Sequence, residues 1–440
     1  MFARVHGTPL QHLILLIAFA LAFSACGRDY SSRMGDVLNA VHAHHPESAL
    51  ESVDQLIKRG ESNKKPERSN LTLLLLERAS IYQALGRHED ATRDLLAADQ
   101  MLEILDLTPQ GARNAAAFLF ADNSRVYHAP IYEKLLVNVS ALSSFLALGD
   151  YRAAAVEARR VFVLAEYFEG EGFHEHPILG AAYSLAGIAL ELAGDAAGAR
   201  HAYRRSTEIH ETPFNKEALE LLQNPRRRAD QEVIFIVLSG LGPTKVAQAF
   251  PVGVALGWLN DGTQLGQDEN NIVAGLSAQE LSSWVRFPVL VTNHAINPAW
   301  SLRTPQGPSV TLFQLTDVNA FAIAQWERAR ASIAWAAITR FLTRHVARQA
   351  LSAGGQAVGG VGGSIMRMAG LVAQNAMLAA DTPDTRAWNT IPAGIHVARV
   401  PVEPGLNRFH LEGVHGVGAT TIDIEVDEGR TRVVTLRLFQ

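Results

Sequence analysis

Three short runs in the first half of the chain superimpose on a glycine, and they restrict the fold more than any other feature. They are Gly86-Arg87-His88-Glu89-Asp90-Ala91, Gly149-Asp150-Tyr151-Arg152-Ala153-Ala154 and Gly194-Asp195-Ala196-Ala197-Gly198-Ala199, each with alanine five residues after the glycine. Apolar residues flank them at helical spacing: Leu75, Ala79 and Tyr82 before Gly86, with Ala91, Leu95 and Ala98 after it. Leu142 and Phe145 precede Gly149, and Tyr151 and Ala154 follow; Gly187 and Leu190 precede Gly194, and Ala199 and Tyr203 follow. The pattern predicts helix pairs that turn on glycine and stack, because one such pair cannot bury its apolar face alone.

These units resemble tetratricopeptide repeats, which place small residues where two helices cross and glycine between them. The anchors lie 63 and then 45 residues apart, against ~34 in a regular array, so longer helices or inserts are expected. Leu107 to Ile131, with Pro109, Gly111 and Pro130, is the expected insert, and Met34 to His45 with Glu47 to Lys58, hinged at Pro46, an earlier degenerate pair. Tyr82, Tyr151 and Tyr203 are expected to pack in the core. The resemblance implies a scaffold that binds a protein or peptide in a concave groove.

Beyond about residue 230 the period changes. All six tryptophans lie there, and Asn224-Pro225-Arg226-Arg227-Arg228 marks the boundary. The run Val233 to Leu238 reads as a buried strand, Val285 to Val291 and Val310 to Leu315 as further strands, and Gly394 to Val400 as another. Ile422 to Val426 and Val434 to Leu438 alternate and are expected to form a hairpin about Asp427-Glu428-Gly429-Arg430. Asn319 to Leu351 reads as a long helix, with Phe321, Trp335, Ile338, Leu342 and Val346 on one side and Arg330, Arg340, Arg344 and Arg348 opposite. On the same wheel Trp326 and Ile333 fall on the arginine side. The glycine-rich segment 354–380 follows as a second arm, with Gly355, Gly359 and Gly363 spaced for close helix packing. The fold class expected is α+β: a tetratricopeptide-like α-solenoid over 26–228, then an antiparallel β domain over 229–440, a sandwich with a helical hairpin inserted at about 319–380.

The first 25 residues have the basic start, apolar stretch and small-residue end of a secretory signal. Phe23-Ser24-Ala25-Cys26 resembles the bacterial lipobox, which implies lipidation of Cys26, the only cysteine; Gly27 in place of Asp implies sorting to the outer membrane, facing the periplasm. With one cysteine no intramolecular disulfide forms, and a formal charge of -5 with pI ≈ 6.4 argues against nucleic-acid binding.

The most distinctive run is Asp384-Thr385-Arg386-Ala387-Trp388-Asn389-Thr390-Ile391-Pro392. Together with Ser239-Gly240-Leu241-Gly242-Pro243-Thr244-Lys245 and Phe287-Pro288-Val289, it resembles an uncharacterised family of repeat-containing lipoproteins of Gram-negative bacteria. The match is most specific at Asp384, Arg386, Trp388 and Pro392. Asp384 and Arg386 are expected to form a charge-assisted pair, with Trp388 capping the β core.

Signs of chemistry are sparse. His174-Glu175-His176 and His44-His45 lack a third ligand at metal spacing, no Gly-x-Ser-x-Gly elbow occurs, and Gly240-Leu241-Gly242-Pro243 is not a phosphate loop. No catalytic residue, metal or cofactor is expected. The reading is a membrane-tethered periplasmic scaffold whose groove binds an envelope protein or peptide. The alternatives are a membrane-active or pore-associated protein using 354–380, and a periplasmic hydrolase.

Overall fold

The computed structural model describes residues 30–62, 70–103, 127, 129–170, 176–227, 229–258, 273–292, 299–304, 307–357, 383–413 and 419–440. Cys26, most of the expected insert and the second arm from residue 358 lie outside them. The chain is α+β. Its helices come first: α1 (Tyr30–Arg33), α2 (Gly35–His42), α3 (Pro46–Ser62), α4 (Leu71–Ala84), α5 (His88–Glu103), α6 (Ile131–Leu148), α7 (Tyr151–Phe168), α8 (Pro177–Leu192), α9 (Ala196–Ile209) and α10 (Pro213–Gln223). After a 3-10 turn at Pro225–Arg227 come β1 (Glu232–Ser239), β2 (Thr244–Pro251), α11 (Val252–Gly257), α12 (Ala278–Ser282), β3 (Trp284–Val291), β4 (Trp300–Arg303), β5 (Val310–Thr311) and β6 (Phe313–Asp317). The long α13 (Val318–Ala357) precedes β7 (Gly394–Pro401), β8 (Gly405–Gly413), β9 (Thr420–Val426) and β10 (Thr431–Leu438).

Gly86, Gly149 and Gly194 join α4 to α5, α6 to α7 and α8 to α9, at φ of 70°, 74° and 83°. A Cβ at any of the three would meet nothing within 4 Å, so it is the left-handed backbone, and not crowding, that calls for glycine. Asp150 and Asp195 then cap the returning helices, accepting from Ala153 N and Gly198 N at 2.9 Å. Inside the third pair crowding does decide: a Cβ on Gly187 would lie 2.6 Å from the Tyr203 ring. Tyr82 and Tyr203 are buried, while Tyr151 is half-buried and donates to Thr431 O at 3.1 Å.

The inner helices α4, α6 and α8 are apolar nearly all round because they are covered on both sides. Outside them lie α5, α7 and α9; inside, α4 and α6 pack on β10, α8 on β6 and α10 on β7. The α6 helix is long and apolar enough to cross a membrane, yet it is mostly buried in this core.

One four-stranded sheet runs β10-β1-β7-β6 and another β5-β4-β8-β9, with β2-β3 as a separate ribbon. Central β1 explains its own sequence: Ile234, Ile236 and Leu238 join the core shared with the helices, whereas Val233, Phe235 and Val237 join Trp300, Leu302, Phe409 and Leu411 of the other sheet. A strand buried on both faces reads as a continuous apolar run.

Four expectations are corrected. The β domain is not wholly antiparallel, since β10 runs parallel to β1. Nor do β9 and β10 form a hairpin: β9 pairs with β8, and the chain crosses to the other sheet at Asp427–Arg430. Their apolar faces meet across one core, Ile424 and Val426 from one side and Val434, Leu436 and Leu438 from the other. Val310 to Leu315 is likewise two strands in two sheets, β5 and β6, divided at buried Leu312. On α13, Trp326 and Ile333 are buried with Ala329, Ala337 and Ile338 against the β2–β3 ribbon, while Phe321 packs with the inner helices. The helix serves two partners in succession, so no single stripe describes it; Arg330 lies along this side, 5.3 Å from the Trp258 ring.

Candidate functional site

Residues 384–392 form an irregular strap that leads into β7 and lies against α4 and α6. Its first link is local. Asp384 accepts from Arg386 Nε (2.8 Å), Nη2 (2.5 Å) and the Arg386 backbone N–H (3.0 Å). Burial pushes the Asp384 carboxyl upward, but the Arg386 hydrogen bonds and charge, aided by Lys245, hold it below the usual carboxylate range.

The strap is then gripped by two buried glutamates on the helices. Glu77 Oε1 accepts from Asn389 N (2.8 Å) and Nδ2 (3.0 Å), and Oε2 accepts from Thr390 N (2.9 Å) and Oγ1 (2.6 Å). Tyr30 OH adds a longer contact to Oε1 at 3.4 Å. Ser80, one turn along α4, accepts from the Trp388 indole N–H at 3.1 Å. Glu133, in the first turn of α6, accepts from Trp388 N at 3.3 Å and from Tyr127 OH. Burial raises the Glu133 carboxyl to about 7, with Glu77 pushing the same way; Lys245, Tyr127 and the Trp388 N–H oppose it. Burial in turn lowers Lys245, against the pull of Glu133 and Asp384.

From the sheet side, buried Arg437 of β10 fastens four carbonyls: Nη1 donates to Leu238 O (3.0 Å) and Leu438 O (2.7 Å), Nη2 to Gly240 O (2.7 Å) and Thr390 O (2.8 Å). The β1–β2 connection closes the site. Gly242 N donates to Ile391 O at 2.7 Å, and a Cβ on Gly242 would fall 2.3 Å from Ile391 Cγ2. Gly240 combines φ of 70° with a hypothetical Cβ 2.9 Å from Ala393 Cβ. Pro392 is buried between Ile391, whose carbonyl accepts, and Ala393, whose N–H donates to Ser239 O at 2.8 Å; having no N–H itself, it leaves no donor unmet.

The two sequence elements 239–245 and 384–392 thus meet in one node. Trp388 is fully buried in the cluster shared by the helices and the helix-facing side of the first sheet, and does not cap the β core as expected. The sheet itself is joined to the helices a second time, where Arg399 pairs with Glu191 (2.9 Å) and Glu232 (2.7 Å), all three buried side chains. Spacing in the sequence pointed to neither Glu77, Glu133 nor Arg437. The signal available for Glu77 was a lone acid following Leu73-Leu74-Leu75-Leu76 in a helix with no polar face.

His176 is the N-cap of α8: its Nδ1 accepts from Ile178 N at 3.4 Å, and its ring lies 4.1 Å from that of Phe321. Burial, with Arg328 assisting, lowers it to about 4. His174 and Glu175 lie outside the described residues, and His44 and His45 are exposed at the end of α2. Among the described residues no three His, Cys, Asp or Glu side chains come together as metal ligands. What the node can do is mechanical: apart from the buried Arg437 Nε, which has no hydrogen-bond partner, the polar groups named above pair within it, and they fasten an extended segment to a helix array. No protein-family model matches the chain, and no curated protein matches it significantly.

Proposed function

We propose that the chain is an exported lipoprotein, held by Cys26 in the outer membrane and facing the periplasm, and that it serves as a protein-binding scaffold. On this reading the helix pairs are divergent tetratricopeptide repeats forming a short α-solenoid, and the two four-stranded sheets a β-sandwich. The convergence of Asp384, Arg386, Trp388 and Pro392 with Gly240, Gly242 and Lys245 supports membership of the Gram-negative lipoprotein family that these motifs resemble.

One observation carries the scaffold reading. The inner helices already hold an extended segment through its main-chain N–H groups, Glu77 taking Asn389 and Thr390 and Glu133 taking Trp388. Because the chain's own strap and sheet fill that inner face, the partner is assigned to the outer helices. There Val156 and Val163 of α7 stand 49% and 66% exposed, one above the other at i, i+7. The test is photocrosslinking in living cells from positions 156 and 163, with Leu406 of β8 as the control. One discrete adduct from both α7 positions and none from 406 supports the scaffold. Absence of any adduct, or the same adducts from all three, refutes it. The anchor is tested separately: Cys26→Ser should accumulate as precursor and lose acyl labelling.

A further inference from the structure

The β2–β3 ribbon has one edge covered and one open. Ala247 stands opposite Pro288 in an unbroken antiparallel register. Proline has no N–H to give, so these two residues form a pair without ladder bonds between them. The N–H and C=O of Ala247 therefore point away from β3, as do those of Ala249 two residues on. The Pro288 carbonyl likewise points away from β2, and it accepts from the Trp326 indole N–H of α13 at 3.4 Å. That helix packs along the β3 side. On the β2 side, no further backbone bond reaches Ala247 or Ala249 among the described residues, and Val246, Ala247 and Gln248 are exposed.

The other sheet edges are guarded. β5 is two residues long, β6 is bulged between Gln314 and Thr316, β9 presents exposed Asp423 and Glu425, and His88 of α5 bonds the Thr435 backbone of β10. Short strands, bulges, charges and covering groups are what keep an edge from pairing with another chain. The run Val246-Ala247-Gln248-Ala249 has none of these. Exposed apolar side chains gather beside it as well: Val291 and Trp284 on β3, the latter 61% exposed, with Val254 of α11 and Leu281 of α12.

We propose that β2 is a docking edge for a second copy of this chain, the two β2 strands running antiparallel about a twofold axis at Gln248. The charge pattern argues for this occupant. Centred on Gln248, the pairing sets Ala247 against Ala249 of the second copy and Val246 against Phe250, with no like charges opposed. Strand β9 laid on itself about Ile424 would instead oppose Asp423 and Glu425. At β2 each alanine exchanges both main-chain bonds with the other, and the two ribbons become one sheet in the order β3-β2-β2-β3.

The test uses the purified full chain, which should sediment as a monomer–dimer equilibrium at micromolar concentrations. Ala247→Pro removes an N–H from the open edge and none from the β2–β3 ladder, and Gln248→Lys sets two lysines against each other across the axis. Each should weaken association several-fold while keeping the circular dichroism and melting temperature of the parent; if Ala247→Pro loses the parent's fold, Gln248→Lys decides. Gln248→Cys reports the register. Facing residues of a pair without ladder bonds lie about 4.5 Å apart between Cα atoms, within reach of a disulfide. Mild oxidation should therefore yield a covalent dimer much faster from Gln248→Cys than from Glu217→Cys on α10. A dimer unchanged by Gln248→Lys, or equal oxidation of the two cysteine variants, would overturn the proposal. So would a chain that stays monomeric, whether or not a photocrosslinker at position 248 captures a different protein.

Discussion

Replacing Glu77 by glutamine changes little in shape and reverses half of its hydrogen-bonding capacity. The native carboxylate accepts four short bonds from the strap, two on each oxygen, at 2.6–3.0 Å. In the variant the remaining carbonyl oxygen still serves Asn389 N and Nδ2. The new amide N–H₂ faces Thr390 Oγ1, which turns to accept, and Thr390 N, which cannot. One buried backbone donor is therefore orphaned, at about 1–3 kcal/mol, and the bonds that survive lose their charge assistance, at about 1 kcal/mol more. Against this, the variant no longer buries an anion, and burial pushes the Glu77 carboxyl upward, so its charge is costly there. The expected net loss is smaller than the sum of those costs, about 1–3 kcal/mol. Glu77→Ala, which orphans both backbone N–H groups and leaves a cavity, should cost more. Urea unfolding gives the stability, and hydrogen exchange of the Trp388, Asn389 and Thr390 amides locates the loss. If Glu77→Gln lies within about 1 kcal/mol of the parent and those amides stay protected, the strap is not held in the way described.

Three further outcomes follow from the same geometry. Gly242→Ala should cost about 1–3 kcal/mol by driving its methyl into Ile391, and Ile391→Ala in the same chain should recover at least 1 kcal/mol of the summed single-variant losses in a double-mutant cycle; strict additivity would refute the contact. Gly149→Ala should cost about 1–2 kcal/mol through its backbone alone, and Gly187→Ala clearly more, through the Tyr203 ring; equal losses by thermal unfolding would contradict the packing. Two buried groups set opposite pH slopes. Glu133, raised to about 7, binds its proton more tightly folded than unfolded, so its contribution is full below about pH 4.5 and is lost as pH rises through 7. Amide protection in the strap should accordingly fall between pH 5.5 and 8.5, and Glu133→Gln should flatten that fall. His396, lowered to about 4 by burial, contributes fully above pH 6.5 and loses that contribution as pH falls toward 4; His396→Gln should weaken the acid limb of a stability profile.

Sequence and fold correspond where the cause is local. A helix on each side of Gly86, Gly149 and Gly194 could be anticipated because the turn needs a left-handed residue and the flanking periods are helical. Strand β1 was visible because burial on both faces leaves no polar position in Val233 to Leu238. Neighbours were not visible. Alternation in β9 and β10 tells which side chains are dry, but two dry faces can lie side by side in one sheet or opposite each other in two, and here they are opposite. The polar face of β10 misled in the same way. Thr435 and Arg437 look like solvent positions, yet Thr435 donates to Ser143 O of α6 at 2.8 Å and Arg437 is buried in the node. The node itself joins residues more than 300 positions apart, as in Glu77 to Asn389, and no periodicity reports a pairing over that distance.

The charges of the node bear on how the two parts of the chain fold. The helices contribute two buried acids, Glu77 and Glu133, and no base; the rest contributes Lys245, Arg386 and Arg437 against Asp384. Each part alone therefore holds an uncompensated pair of like charges, and only together do they balance. An ion pair in low dielectric is costly to build but far more costly to halve, about 3–5 kcal/mol when one partner is removed. The apolar inner faces of α4, α6 and α8 add to this, since without the sheet they would be exposed. The helical part and the β part are thus expected to unfold in one transition, with exchange protection in α4 and α6 lost together with that in β1 and β7. A separate, earlier transition of the β strands that left α4 and α6 protected would show that the buried charges do not couple them.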